Sequence, residues 1–565
     1  MLVRHEKFFG KFLALWLAAA ASPVLAEGIV LRGSENIVEL LKPYLPENGA
    51  SQRRVQAMLG EVLATEGYFS PVFEFSNEDG TTALYVAPGP RTTVSNVDMR
   101  IDGPIEEPRR SMLRNGWPLP IGSAFRQAAW NDAKLQILSD LLAVEHAGAR
   151  LVDSLAEIDT ETQRADVRVH YDAGPRYRFG ELQVEGLQRY PEDLVSRYNR
   201  GFREGDSYRE DLLRAFQSTL LTTPYFASAE VALDLAQSED DGEGFATAPV
   251  RVSVRERPAH RFGVGVGVSS NTGARVEANY HTPNLLNKAW VLDGGLRIEQ
   301  KKQTLYSDVF LPPDETGRRH GVGLMVEATD IEGLKTDRYA FGAQTVLQRG
   351  NLEQRLSLNW ERERREPDGA MATTNSALVP NVMWTWRQVD NPLDPRDGVV
   401  WQAQMGGGSK ALASDQDFLR LQGRWQQYFP IGRLDTVALR AELGVTLADL
   451  RKNIPQDYLF RTGGTGSVRG YSYQSLGVTE GSATVGGRYM GVLSAEATHW
   501  FNETWGVAAF VDAGEAADNV EDLNLAVGYG LGARWKSPAG PIGLDLAYGQ
   551  RTSSWQIHFA LAIPF

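Results

Sequence analysis

Apolar and polar positions keep two different rhythms along this chain, and the change falls near residue 258. Beyond it, large apolar residues recur at every second position in runs of roughly ten, separated by clusters of Gly, Asp, Asn and Pro; this spacing predicts strands with one apolar and one polar face. In the final run Trp555, Ile557, Phe559, Leu561, Ile563 and Phe565 alternate with Ser554, Gln556, His558, Ala560 and Ala562. Further back, Val437, Leu439, Leu443, Val445 and Leu447 alternate with Arg440, Glu442 and Thr446. An apolar strand at the edge of a water-exposed sheet would template aggregation. Closing the sheet into a barrel inside a membrane removes the edge and gives the apolar face a solvent. At about nineteen residues per strand and turn, residues 259–565 predict an antiparallel transmembrane β-barrel of about sixteen strands with a polar interior. Ten of the thirteen tryptophans fall in this half, which suits aromatic belts at the membrane interfaces.

Before residue 258 the rhythm mixes periods of two and 3.6. Val55, Met58, Leu59, Val62 and Leu63 have helical spacing that breaks at Gly67, ahead of a strand-like Val72–Phe75. Leu212, Leu213, Phe216 and Leu220 do the same ahead of Val231–Leu235, and Phe125 with Leu135 to Leu142 supplies the helical core of a middle unit. The junctions Pro88-Gly89-Pro90-Arg91, Ala173-Gly174-Pro175-Arg176 and Arg255-Glu256-Arg257-Pro258 recur at intervals of 85 and 82 residues (176 − 91 and 258 − 176). That period predicts three small α+β modules, 27–90, 91–175 and 176–258, each of order strand, helix, helix, strand, strand. Their named side chains read as packing residues. Function in them would rest on exposed strand edges able to take up an extended peptide.

Charge and composition narrow the chemistry. Arg4, Lys7 and Lys11, the apolar run Phe12–Ala21 and the small residues around Val24-Leu25-Ala26 have the form of a secretory signal peptide, so residues 1–26 are expected to be removed. No later segment offers the apolar length of a transmembrane helix. The formal charge of −13 becomes −15 once three basic residues and Glu6 leave (−13 − 3 + 1), a poor balance for binding nucleic acid. With no cysteine, disulfides and thiolate sites are excluded. The eight histidines form no metal-spaced pair, and Gly466-Ser467-Val468-Arg469-Gly470 has the wrong spacing for a nucleophile elbow. Gly528-Tyr529-Gly530-Leu531-Gly532 has no following helix to receive a phosphate. No catalytic residue, metal or cofactor is expected. The run Glu361 to Glu366, alternating in charge, reads as a solvated strand end or exposed loop.

The sequence concentrates its chemistry in a glycine-rich loop, Gly463-Gly464-Thr465-Gly466-Ser467-Val468-Arg469-Gly470-Tyr471. An arginine among so many glycines needs a partner to fix it. Glu496 and Asp512 lie on the polar faces of later strands, and bidentate capture of Arg469 would fold the loop into the barrel. With Val468-Arg469-Gly470-Tyr471 and the wall segment Phe510-Val511-Asp512-Ala513-Gly514, the chain resembles the POTRA-plus-barrel insertases and transporters, the BamA-like superfamily, over essentially its whole mature length. The resemblance implies a barrel in the bacterial outer membrane, POTRA-like modules in the periplasm, and Val468, Arg469, Gly470, Tyr471, Glu496 and Asp512 as the latch of a lumenal loop. It makes Phe510 and Gly514 part of the wall motif and Phe565 an assembly signal, although Pro564 before it departs from the usual pattern. Three modules resemble the outer-membrane subunit of the translocation and assembly module, the TamA branch. That branch implies insertion or secretion of autotransporters and other β-barrel proteins, unfolded outer-membrane protein clients, contact with membrane lipid, and a TamB-like inner-membrane-anchored partner at the first module.

The closing seam should be the weakest line in the barrel. Gly263, Gly265 and Gly267 occupy the inward positions of the first strand, and Ala560, Ala562 and Pro564 those of the last, before Phe565. Glycine adds no packing and proline no ladder donor, so the seam is expected to serve as a lateral gate; the glycines would equally make room for a loop. A polypeptide-secreting channel of the two-partner type and a BamA-type general insertase are the alternatives. An outer-membrane enzyme, for which His499 is the one candidate, is disfavoured.

Overall fold

The computed structural model describes residues 29–46, 50–78, 81–242, 244–537 and 540–561; the leader segment and Ala562, Pro564 and Phe565 lie outside the described residues. Residues 29–256 repeat one plan three times. The first module runs strand Ile29–Arg32, helices Glu35–Leu41 and Gln52–Thr65, strands Val72–Glu78 and Thr81–Ala87. The second runs Thr93–Asp102, Glu107–Asn115, Gln127–Ala143, Arg150–Asp159 and Arg164–Asp172, and the third Arg176–Glu185, Asp193–Ser196, Glu210–Thr222, Phe226–Leu233 and Phe245–Glu256. In each sheet the last of these strands lies in the middle, parallel to the first.

Helical spacing chooses the cores. Leu59 and Leu63 pack against Leu41 and Leu84 in the first module. In the second, Trp130, Ala133, Ile137 and Leu141 form an i, i+3, i+4 stripe that meets Phe125, Val167 and Tyr171. Leu135, expected in that core, is 63% exposed, because it stands two residues from Ala133 and so about 200° around the helix. The three repeated junctions share one backbone bond: a residue at the junction donates to a carbonyl just past the module's second helix. These bonds are Thr92 to Gly67 at 2.9 Å, Tyr177 to Glu145 at 2.6 Å, and Arg257 to Tyr225 at 2.7 Å. At the first two, the motif arginine adds an ion pair, Arg91 to Glu66 at 3.3 Å and Arg176 to Glu145 at 2.7 Å.

The chain divides into two compact units, the second being residues 255–565 together with 186–198 and 222–228. Within it, sixteen strands from Arg261–Ser269 to Ser554–Leu561 make one antiparallel up-and-down sheet. All connections are short except residues 448–488, which leave the eleventh strand, Asp435–Leu447, and return at the twelfth, Tyr489–Trp500. The wall is uneven. The first and fourth strands have 9 residues each, the sixth to eighth 16, 16 and 17.

Eight of the barrel's ten tryptophans lie toward the end at which residue 261 enters the barrel, where Trp505 and Trp535 stack at 5.3 Å, while Trp555 meets Tyr548 and Tyr548 meets Tyr529 toward the opposite end. One expectation changes here. The charge run Glu361–Glu366 is not a solvated strand end. It continues the strand Leu352–Pro367, and its inward members Glu361, Glu363 and Arg365 are buried. The reason is the long loop, which fills the lumen. The Gln456 N–H donates to Glu363 at 3.1 Å, and Glu480 accepts both Nη atoms of Arg365 at 3.0 and 3.2 Å.

Candidate functional site in the barrel lumen

Loop 448–488 reaches its most buried point at Val468-Arg469-Gly470-Tyr471. Val468 and Tyr471 join Phe460, Leu476, Met490 and Val492 in an apolar cluster inside the lumen. Gly463, Gly464 and Gly470 take φ of 103°, 92° and 92°, a region costly for other residues. The loop backbone also lies hard against the wall. A methyl at Gly528 would overlap the Arg469 carbonyl oxygen, and one at Gly470 would come within 2.8 Å of Gly549 N. Gly528 of the fourteenth strand, Ala526–Ser537, thus gives the loop room.

Arg469 fixes the segment. Its Nε donates to Asp512 Oδ2 at 2.7 Å and Nη2 to Asp512 Oδ1 at 3.1 Å, a bidentate pair, while its own backbone N–H reaches the same carboxylate at 3.1 Å. Nη1 donates to Glu496 at 2.6 Å and to Asp545 at 3.0 Å. The guanidinium lies 3.4 Å from the ring centre of Phe510, a cation–π contact that covers its remaining face. Ser494 Oγ donates to Asp512 at 2.6 Å, and Arg534 bridges Glu496, at 2.9 Å, to Asp545. With Arg440, which donates to Ser467 O at 2.9 Å, the site holds three guanidinium groups and three carboxylates. Removal of one member would leave an uncompensated charge away from water.

Of the residues singled out from sequence, Val468, Arg469, Gly470, Tyr471, Glu496, Phe510 and Asp512 come together here, and Gly514 packs at Val468. Sequence reasoning did not assign Asp545, Arg534, Arg440, Ser494 or His558 to this site. Asp545 had a signal, a lone carboxylate between the outward Leu544 and Leu546, and His558 was the one titratable residue on the inward face of the final run. Tyr471 is held at both sides of its hydroxyl, donating to Val527 O and accepting from Arg551 N, each at 3.0 Å.

The seam residues lie apart from this cluster. Gly263, Gly265 and Gly267 pair with Asn279, Glu277 and Arg275, whose side chains fill the inward space beside them. The backbone of Ala560 pairs with Gly543. Among the described residues no backbone ladder joins the first strand to the last, and the outward Phe262, Val264, Val266 and Val268 are strongly exposed, Val264 to 83%.

Residues 258–565 match the Omp85 superfamily domain, and the chain belongs to that superfamily. The outer membrane protein assembly factor BamA of Nitratidesulfovibrio vulgaris is 24% identical to this chain over 426 residues, 70% of this chain and 52% of that protein, so the chain spans about half the length of this curated relative. Among solved structures, BamA from Haemophilus ducreyi lacking POTRA domains 1–3 aligns with a TM-score of 0.68 at 17% identity, over 82% of this chain and 98% of that one. The likeness is one of fold: POTRA-like α/β modules followed by a nearly closed sixteen-strand barrel of outer-membrane type.

Proposed function

We propose that this protein assembles other β-barrel proteins into the bacterial outer membrane, with its modules in the periplasm and no covalent chemistry. The observation that carries the reading is the joining of strand-edged α/β modules to a sixteen-strand barrel whose first strand is exposed and apolar outside and carries only glycine at Gly263, Gly265 and Gly267 inside. Nine residues at about 3.3 Å, tilted by about 40°, cover some 23 Å of the membrane normal, close to the apolar band of about 25 Å of an outer-membrane barrel. A seam that parts would offer its backbone groups to a client strand, whose own groups need partners at once in the apolar core. Arg469, Asp512 and Glu496 act in this reading as the latch that keeps the loop in the lumen.

The finer reading, which the three modules described in this chain support, is a TamA-like subunit that handles autotransporters among its clients and meets a TamB-like partner at the first module. The sheet of that module ends on strand Val72–Glu78, which supports strand addition there.

The test uses the full chain in proteoliposomes. Cysteines at Ser270 and Phe559, whose backbone already meets the Ser270 hydroxyl, are joined by a disulfide or short bis-thiol linker. Client insertion, read as protease protection and a folded-band shift, is expected to fall on linking and return on reduction. Full insertion with linking complete would overturn the role of the seam, and client passage with a large single-channel conductance would favour a secretion channel.

A further inference from the structure

The lumen loop touches both the first and the last strand of the sixteen-strand sheet, between which the described residues show no backbone ladder. On the side of the first strand, Asn271 in the turn after Ser269 donates Nδ2 to Thr465 Oγ1 at 2.9 Å and accepts the Thr465 N–H at 3.4 Å. Gly464 sits so close that a methyl there would come within 2.9 Å of Asn271 Oδ1. On the side of the last strand, the Gly470 N–H donates to His558 Nε2 at 2.8 Å, which places the ring proton on Nδ1, and Gln556 Nε2 donates to Ser472 Oγ at 3.5 Å. Directly between the two edges, the described residues show one clasp: Ser270 Oγ accepts the Phe559 N–H at 3.1 Å and donates to Phe559 O at 3.5 Å.

We propose that Thr465–Ser472 is a strap that holds the two barrel edges together from inside, with Asn271 and His558 as its positioning residues. An antiparallel pair is normally closed by a ladder of backbone bonds. Among the described residues, the links through the loop and the Ser270 clasp are what join the two edges. The strap is stiff because Arg469, between its two anchors, is clamped to the twelfth, thirteenth and fifteenth strands through Glu496, Asp512 and Asp545. Releasing either anchor frees an edge without unfolding the wall. The proposal deepens the insertase reading by naming what controls its seam; it rests on that reading for its biological consequence, while the closure itself is measured separately.

The chain has no cysteine, so spin labels are placed at Val268→Cys and Phe559→Cys, beside the Ser270 clasp, in the full chain in proteoliposomes. The otherwise unchanged protein is expected to give one short distance. Asn271→Ala and His558→Phe are each expected to add a population longer by at least about one strand spacing, ~5 Å. His558→Gln retains an acceptor and is expected to keep the short distance alone. An unchanged distribution in the Asn271→Ala/His558→Phe double variant would overturn the strap, as would equal opening in His558→Gln. Asn271→Ala alone, in a turn, keeps the test open if the double variant does not fold. Client insertion is read on the same samples. Labels that separate while no sample inserts client sink the insertase reading and leave the strap; insertion throughout with labels unmoved does the reverse.

Discussion

Replacing Arg469 with alanine should release the loop, and the size of the effect follows from its partners. The side chain supplies two bonds to Asp512, which is fully buried, and one each to Glu496 and Asp545. In Arg469→Ala, Arg534 still pairs Glu496 and Asp545, but Asp512 keeps only Ser494 and a backbone N–H. Leaving one buried charge in this state costs about 3–5 kcal/mol. Asp512→Asn keeps shape and leaves Arg469 two carboxylates, so about 2–3 kcal/mol is expected. Because the two changes remove one shared interaction, the double variant should fall short of the sum by at least about 1.5 kcal/mol. Arg469→Lys keeps the charge and loses the planar fork, and belongs between these and the unchanged protein. Trypsin cleavage within residues 448–468 reports loop opening: when reclosing is faster than cleavage, the rate follows the open population. At about 1.4 kcal/mol per factor of ten, Arg469→Ala should be cut at least about 100-fold faster. Cleavage within about threefold of the unchanged protein, or an additive cycle, would refute the clamp.

The close approach of loop and wall predicts that Gly528→Ala, whose methyl would overlap the Arg469 carbonyl, lowers barrel stability by about 1–3 kcal/mol, whereas Gly423→Ala, with nothing within 4 Å, changes it by less than about 0.5 kcal/mol; heat-dependent gel mobility compares them. At the second module junction, Arg176→Ala removes the 2.7 Å pair to Glu145 and the guanidinium over Phe245, and should loosen that joint by about 1 kcal/mol, visible as faster hydrogen exchange at Tyr177. In the second module, burial, with Arg109 beside it, holds His146 below the ordinary imidazole range. The unfolded chain therefore binds the extra proton first. Stability should be level above about pH 6.5 and fall as pH drops below it, read as lost exchange protection in helix Gln127–Ala143 after correction for intrinsic rates; equal protection at pH 5 and 7.5 would refute this.

Local pattern by itself determined the elements. Period-two alternation yields sixteen strands because a side-chain reversal every residue suits a sheet between lipid and a polar interior, and the Gly-Pro-Arg recurrence marks the first two module joints. The pairing of Arg469 with Asp512 and Glu496 was legible because isolated inward charges stand out against apolar neighbours. The same pattern could not say whether Glu361, Glu363 and Arg365 meet water or a plug, since alternation fixes the face and not what occupies the lumen. Nor could it place Asp545 and His558 beside the loop. They stand 76 and 88 residues from Arg469 and Gly470, and only the register and stagger of consecutive strands bring them to that level. The sequence determined which way each side chain faces; the tertiary structure decided which of them meet, because height in a barrel accumulates from every pairing between two strands.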